Sequence, residues 1–287
     1  MLFEGYDFSN TKKLQMLPLY CIMGVPSVFS SLRNGTEAID DAEFDFSLGL
    51  IISDEQHGRK CEVFDEYLVY LFYGRPAFRW EEKGERKGIY PICFQFASNA
   101  IEPHRIFPFD SGAFYHNYYN ESTLNFSGKL EDYLLYGKDK GLPSTQIPQL
   151  VHVVWQTNRS YYEGRLLAPL SNVLSKSGLS SFDKEYLTFV NKKAWDQSER
   201  DGDSRAYTIE FQIKNHLSLE ALERVILPDC IEEVLIGKLT DFLNRACDHE
   251  VEIITSNCVR SVNSMFDSIS VICQDTVQNI KWETLLE

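Results

Sequence analysis

No stretch of this chain approaches the ~20 consecutive apolar residues that a membrane-spanning helix needs, so no membrane association is expected. Paired cysteines are missing too. The seven cysteines are odd in number, scattered and free of any CxxC, which fits a reduced cytoplasmic chain better than a disulfide framework. Met1 to Asp7 has no basic region ahead of an apolar one, so no signal peptide is expected. No run of Lys and Arg relieves the formal net charge of -14. Such a protein repels nucleic acid on average; a nucleic-acid substrate would need a local basic groove, and a basic partner protein is easier to accommodate. The six histidines are dispersed and Cys247-x-His249 is an isolated pair, so zinc spacing is absent and no metal is expected. There is no GxGxxG after a strand, no Walker loop and no GxSxG elbow.

What is present is a globular composition. The 287 residues are 44% hydrophobic and 13% aromatic, with 15 Tyr and 19 Phe, enough for one large core. Leu19–Met23 reads as a short strand, followed by a helical turn over Val28–Leu32 that Asn34-Gly35 closes. Residues 36–47 read as an acidic loop. Tyr67–Tyr73 is a continuous apolar run, the pattern of a strand buried on both faces, and Gly74-Arg75-Pro76 ends it. Lys83–Gly88 is a charged turn, and Ile89–Phe96 and Val151–Trp155 read as further strands. Residues 115–150 are the candidate insertion. Ser180–Asp196 is an amphipathic helix whose Ser180 and Asp183 form a capping box. Ser198–Asp203 is an exposed turn. A helix starts near Gly237, Val251–Thr255 is a last strand, and 256–287 is expected at the periphery. Mostly antiparallel strands with interspersed helices predict an α+β fold in a single domain, 1–287.

Four segments can carry chemistry. In Ser204–Ile213, Tyr207, Ile209, Phe211 and Ile213 alternate strictly with Thr208, Glu210 and Gln212. This is either the wet face of an antiparallel strand or a rigid mount for a carboxylate that stabilises developing positive charge. The apolar strand ending at Tyr73 delivers Arg75 to its mouth, where a guanidinium can clamp a diphosphate or pair with a structural carboxylate. Asp110 in Phe109-Asp110-Ser111-Gly112 reads as a helix N-cap, with bare amides behind it that can also meet a phosphate. Ser27 stands at another helix start, as a cap or a ligand contact.

The order and content of these segments resemble the ADP-ribosyltransferase toxins, most closely the DarT-like enzymes that modify nucleic acid. The resemblance rests on Leu19–Met23 followed by Ser31–Gly35, on Tyr67–Pro76, on Phe107–Ala113, and on Arg205 ahead of Glu210 in Arg-Ala-Tyr-Thr-Ile-Glu-Phe. It covers about half the chain. It implies a mostly antiparallel split sheet with flanking helices, NAD as substrate, Glu210 as the catalytic acid and Arg75 as the diphosphate clamp. It further implies a cofactor site formed by Tyr20, Cys21, Met23 and Ser27 with Tyr73, Arg75, Phe78 and Asp110. The expected activity is transfer of ADP-ribose to a macromolecule, in a toxin or phage-defence setting with an antitoxin or chaperone partner. A degenerate binding module and an NAD glycohydrolase are the alternatives. Cys21 and Met23 stand where the family carries histidine and threonine, and Ser27 stands where it carries asparagine. Thr208, two residues before Glu210, is neither Gln nor Glu, which leans toward a nucleic-acid acceptor.

Overall fold

The computed structural model describes residues 1–11, 14–25, 60–77, 89–116, 126–138, 140–195, 204–257 and 261–279. The expected turn of helix at Val28–Leu32, loop 36–47 and turns Lys83–Gly88 and Ser198–Asp203, together with Ser27 and Phe78, lie outside them. Among the described residues nine strands and seven α-helices make an α+β fold. The strands are β1 (Leu19–Gly24), β2 (Leu68–Tyr73), β3 (Pro91–Phe96), β4 (Arg105–Phe107), β5 (Tyr136–Gly137), β6 (Lys140–Gly141), β7 (Glu210–Lys214), β8 (Leu222–Pro228) and β9 (Glu252–Ser256). The helices are α1 (Ser111–Tyr115), α2 (Ile147–Trp155), α3 (Asn158–Glu163), α4 (Ser171–Leu174), α5 (Ser181–Trp195), α6 (Glu233–Ala246) and α7 (Val262–Asn279).

The strands form one sheet in the order β6-β5-β4-β7-β2-β1-β3-β8-β9. Every neighbouring pair is antiparallel except β8 with β9, which α6 connects as a crossover. The expected split is met by a continuous sheet with a narrow middle. β1 pairs with β3 over six positions but with β2 over two, Leu19↔Tyr73 and Tyr20↔Phe72.

Both faces are covered, which is why β3 is buried along its whole length. The register puts Tyr20, Ile22, Cys93 and Ile226 on one face. Helix α7 packs Val262, Phe266, Ile269 and Cys273 onto them, a stripe at helical spacing. Within the stretch expected at the periphery, 256–287, helix α7 is therefore packed against the sheet. The other face carries Tyr73, Phe94, Phe96 and Phe211 in the main core, which also takes in Trp155 of α2 and Tyr186 and Phe189 of α5.

Two local expectations give way. Val151–Trp155 is the second half of helix α2 and not a strand: Pro148 sits in its first turn, and a short apolar run fits a buried helix as well as a strand. Ser204–Tyr207 forms a 3-10 turn, so strand β7 begins only at Glu210. The capping box at Ser180 and Asp183 is present, with Ser180 N donating to Asp183 Oδ2 at 2.6 Å and Asp183 N to Ser180 Oγ at 3.1 Å. Asp183 also accepts from Phe3 N at 2.6 Å, which ties the N-terminal residues to α5.

Candidate active site

Glu210 is the first residue of β7 and faces Phe72 on β2 and Phe107 on β4. Its side of the strand is not wet. Thr208, Glu210 and Gln212 are at most 1% exposed, so the alternation reports two buried faces, one apolar and one polar. A buried carboxylate needs donors, and the chain supplies them. Ser111, at the start of α1, gives Oγ to Glu210 Oε1 at 2.7 Å and its backbone N to Oε2 at 3.2 Å. Gln212 Nε2 donates to Oε1 at 2.7 Å and to Ser111 Oγ at 2.9 Å. Burial nonetheless pushes the Glu210 carboxyl up to about 8, and the neighbouring negative charge of Asp110 adds to it, against the lowering effect of those donors.

Asp110 caps α1 as expected, its Oδ1 accepting from Ala113 N at 2.8 Å, while Oδ2 lies 3.7 Å from Arg205. Both of its oxygens thus serve the protein, and its cap places Ser111 against Glu210. Tyr70, opposite Gln212 on β2, completes this side. Burial pushes its hydroxyl well up, with smaller contributions from Cys61, Glu210 and Asp110.

Arg75 leaves the end of β2 through Gly74, whose φ of 74° and close neighbours leave no room for a side chain: a Cβ there would lie 2.7 Å from Leu17 Cδ1. Its guanidinium lies against two rings, 5.1 Å from the centroid of Tyr207 and 5.7 Å from that of Tyr162. Its buried Nη1 has no hydrogen-bond partner among the described residues. Gly164 makes space for this arrangement, because a Cβ at that position would come 2.4 Å from Tyr207 Oη. Tyr161 fixes the two strand ends together: its hydroxyl donates to Tyr73 O at 2.9 Å and accepts from Ile209 N at 3.0 Å. Since Phe72 pairs with Glu210, Arg75 and Glu210 emerge at the same end of adjacent strands.

The other expected contacts are not gathered there. Tyr20 shares the Glu210 face but is fully buried under α7, with its hydroxyl 3.4 Å from Gln95 Oε1. Cys21, Met23 and Tyr73 point to the opposite face, because side chains alternate along β1 and β2. Tyr73 is a core residue stacked on Phe211, its hydroxyl accepting from Leu17 N at 2.9 Å. Cys21 keeps some exposed surface, yet it is enclosed closely enough that burial pushes its thiol up to about 12. The site residues that sequence reasoning missed are Ser111 and Gln212. Ser111 lies within Phe107–Ala113 and Gln212 within Ser204–Ile213; the spacing of two from Glu210 is the available signal for Gln212, and Ser111 has none beyond its place after a cap. At the far end of β7, Lys214, His104 and Arg105 converge on Glu66, with Lys214 Nζ 3.0 Å and His104 Nε2 3.4 Å away.

Among the described residues no group of three or more His, Cys, Asp or Glu is placed to hold a metal ion, and no helix is long and apolar enough to cross a membrane. Comparison of the chain with protein-family models, with curated proteins and with solved structures finds no match.

Proposed function

We propose that this protein is an NAD-dependent ADP-ribosyltransferase, with Glu210 as the catalytic carboxylate and Arg75 as the clamp for the diphosphate. One observation carries the reading: a buried, donor-held carboxylate and an arginine with an unpartnered buried Nη1 leave the sheet at the same end of adjacent strands. An orphaned guanidinium N–H suits an anionic oxygen, and the two flanking rings hold its plane still.

In this mechanism the bond between nicotinamide nitrogen and ribose carbon breaks, nicotinamide leaves with the electron pair, and the ribose carbon gains cationic character. Glu210 stabilises that charge, as carboxylates do in glycoside cleavage. The positive nicotinamide ring of the bound substrate favours the ionised carboxyl, offsetting the effect of burial. Tyr162 and Tyr207 order the clamp and Tyr161 fixes its distance from the acid. Thr208 is fully buried, so the position two before Glu210 offers no amide or carboxylate to orient a protein side chain. This supports a nucleic-acid acceptor over a protein.

Incubation with NAD and cellular nucleic acid should release nicotinamide and add an ADP-ribose mass to the acceptor. No release with any acceptor rejects the proposal, and release without a modified acceptor makes the protein a glycohydrolase. A second reading, a binding module that has lost the chemistry, is favoured by Cys21 and Met23, which face away from Glu210. It predicts that NAD raises the melting temperature without being cleaved.

A further inference from the structure

We propose that Gln212 is the positioning residue of this site, fixing the Glu210 carboxylate in one orientation and favouring its ionised form. The inference rests on the transferase reading but is built on geometry that stands apart from it. Gln212 lies two residues beyond Glu210 on the same face of β7 and is fully buried. Its Nε2 reaches both Glu210 Oε1, at 2.7 Å, and Ser111 Oγ, at 2.9 Å, so one amide closes a triangle with the acid and its other donor.

The same amide leaves Oε1 buried with no partner among the described residues. A residue that merely filled this volume would be apolar and would leave nothing unmet. Turning the amide over would set its oxygen against the carboxylate, so the ionised acid requires the observed orientation. The charged and titratable groups around the pair come from five parts of the chain. Tyr70 on β2 and Arg105 on β4 stand opposite Gln212, Asp110 precedes α1 with Arg205 against it, and Cys61 lies beside Tyr70. Arg105 is engaged by Glu66 and by the ring of Phe64. Gln212 is the group from the strand itself that donates to the acid.

The test is Gln212→Met, which keeps the length and removes the amide. Without that donor the Glu210 proton is held to higher pH, by about one pH unit for the loss of one charge-assisted bond. Nicotinamide release at pH 7 should fall about tenfold and recover at high pH, with KM for NAD unchanged. Independently of any activity, the fall of unfolding stability with rising pH should extend to higher pH in Gln212→Met, and this change should vanish when Glu210→Gln is added. A pH profile that does not move, or that moves equally in the Glu210→Gln background, overturns the proposal. If Gln212→Met does not fold, the wild-type protein decides. The side-chain amide resonances of Gln212 should titrate with the Glu210 carboxyl carbon and stop moving in Glu210→Gln. Amide resonances that ignore that titration overturn it equally. An inactive wild-type protein would reject the transferase reading while leaving the stability and resonance measurements able to judge Gln212.

Discussion

Arg75 lies over the ring of Tyr207, its guanidinium carbon 5.1 Å from the centroid, and Tyr207 stands three residues before Glu210 in the chain. The clamp and the acid are thereby joined through one short segment, the 3-10 turn at Ser204–Tyr207 that leads into β7. That turn also carries Arg205 to Asp110, and Asp110 caps the helix that presents Ser111 to Glu210.

Arg75→Ala should separate function from folding. Arg75 is half-buried and bound to the fold through two ring contacts, so its removal is expected to cost about 1 kcal/mol in stability. Nicotinamide release should fall at least about a hundredfold, because a fixed charge clamp on the substrate is lost. Arg75→Lys should recover little of it, since an ammonium is a compact point charge that cannot reproduce the planar fork of donors held over Tyr207. Urea unfolding together with steady-state kinetics checks both halves, and activity close to wild type in Arg75→Ala would remove Arg75 from the site.

Glu210→Gln should abolish activity and yet stabilise the protein in alkaline buffer. The carboxyl titrates near 8 in the folded protein against an ordinary value of 4.5. Between those two pH values the folded protein holds a proton that the unfolded chain has released, so wild-type stability falls as pH rises through the window and the full penalty is present above about 8. The amide carries no such penalty. Chemical denaturation at pH 6 and pH 9 should show the wild type losing more stability than Glu210→Gln over that interval. Parallel losses in the two proteins would mean that Glu210 is ionised throughout. Activity should rise with pH as the carboxylate forms.

The separate parts of this site were legible in the sequence and their assembly was not. The alternation Tyr207 to Ile213 located the Glu210 strand, and Tyr67–Tyr73 running into Gly74 located Arg75, because strand period and glycine punctuation are local properties. That the polar side of β7 is buried depends on residues 99 positions away, where Ser111 meets Glu210, and period alone cannot report this. Strand β8 was missed because Leu222–Pro228 carries charge at Glu223 and Arg224 and finds its partner β9 only across a helix. Tyr20 looked like a site residue by its order in the chain. Helix α7, whose stripe Val262, Phe266, Ile269 and Cys273 is plain once a face is known, is what takes Tyr20 out of reach.

Tyr161→Phe should loosen the join between β2 and β7. The lost hydroxyl leaves Ile209 N and Tyr73 O without their bridging partner in the buried core. Two unmet backbone groups are expected to cost about 2–4 kcal/mol. The melting temperature should drop, and nicotinamide release should decline more in kcat than in KM as the acid and the clamp lose their fixed spacing. Unchanged stability would show that the hydroxyl bridges nothing in solution.

Phe266→Ala tests whether the C-terminal helix belongs to the fold. The ring is 1% exposed and packs with Tyr20, Cys93 and Ile226 across the sheet. Emptying such a position is expected to cost about 3–5 kcal/mol, through lost burial and the cavity left behind. A helix resting loosely on the surface would give less than about 1 kcal/mol. The second discriminator is Tyr162, whose hydroxyl donates to Ser270 O on the same helix at 2.7 Å while its ring lies under Arg75. When α7 is loosened the Tyr162 ring loses its anchor, so Phe266→Ala should also weaken NAD binding, although Phe266 itself is packed beneath the helix. Calorimetric titration with NAD, run at a temperature where the variant remains folded, reads this coupling. A destabilised variant with wild-type NAD affinity would confine α7 to a structural role.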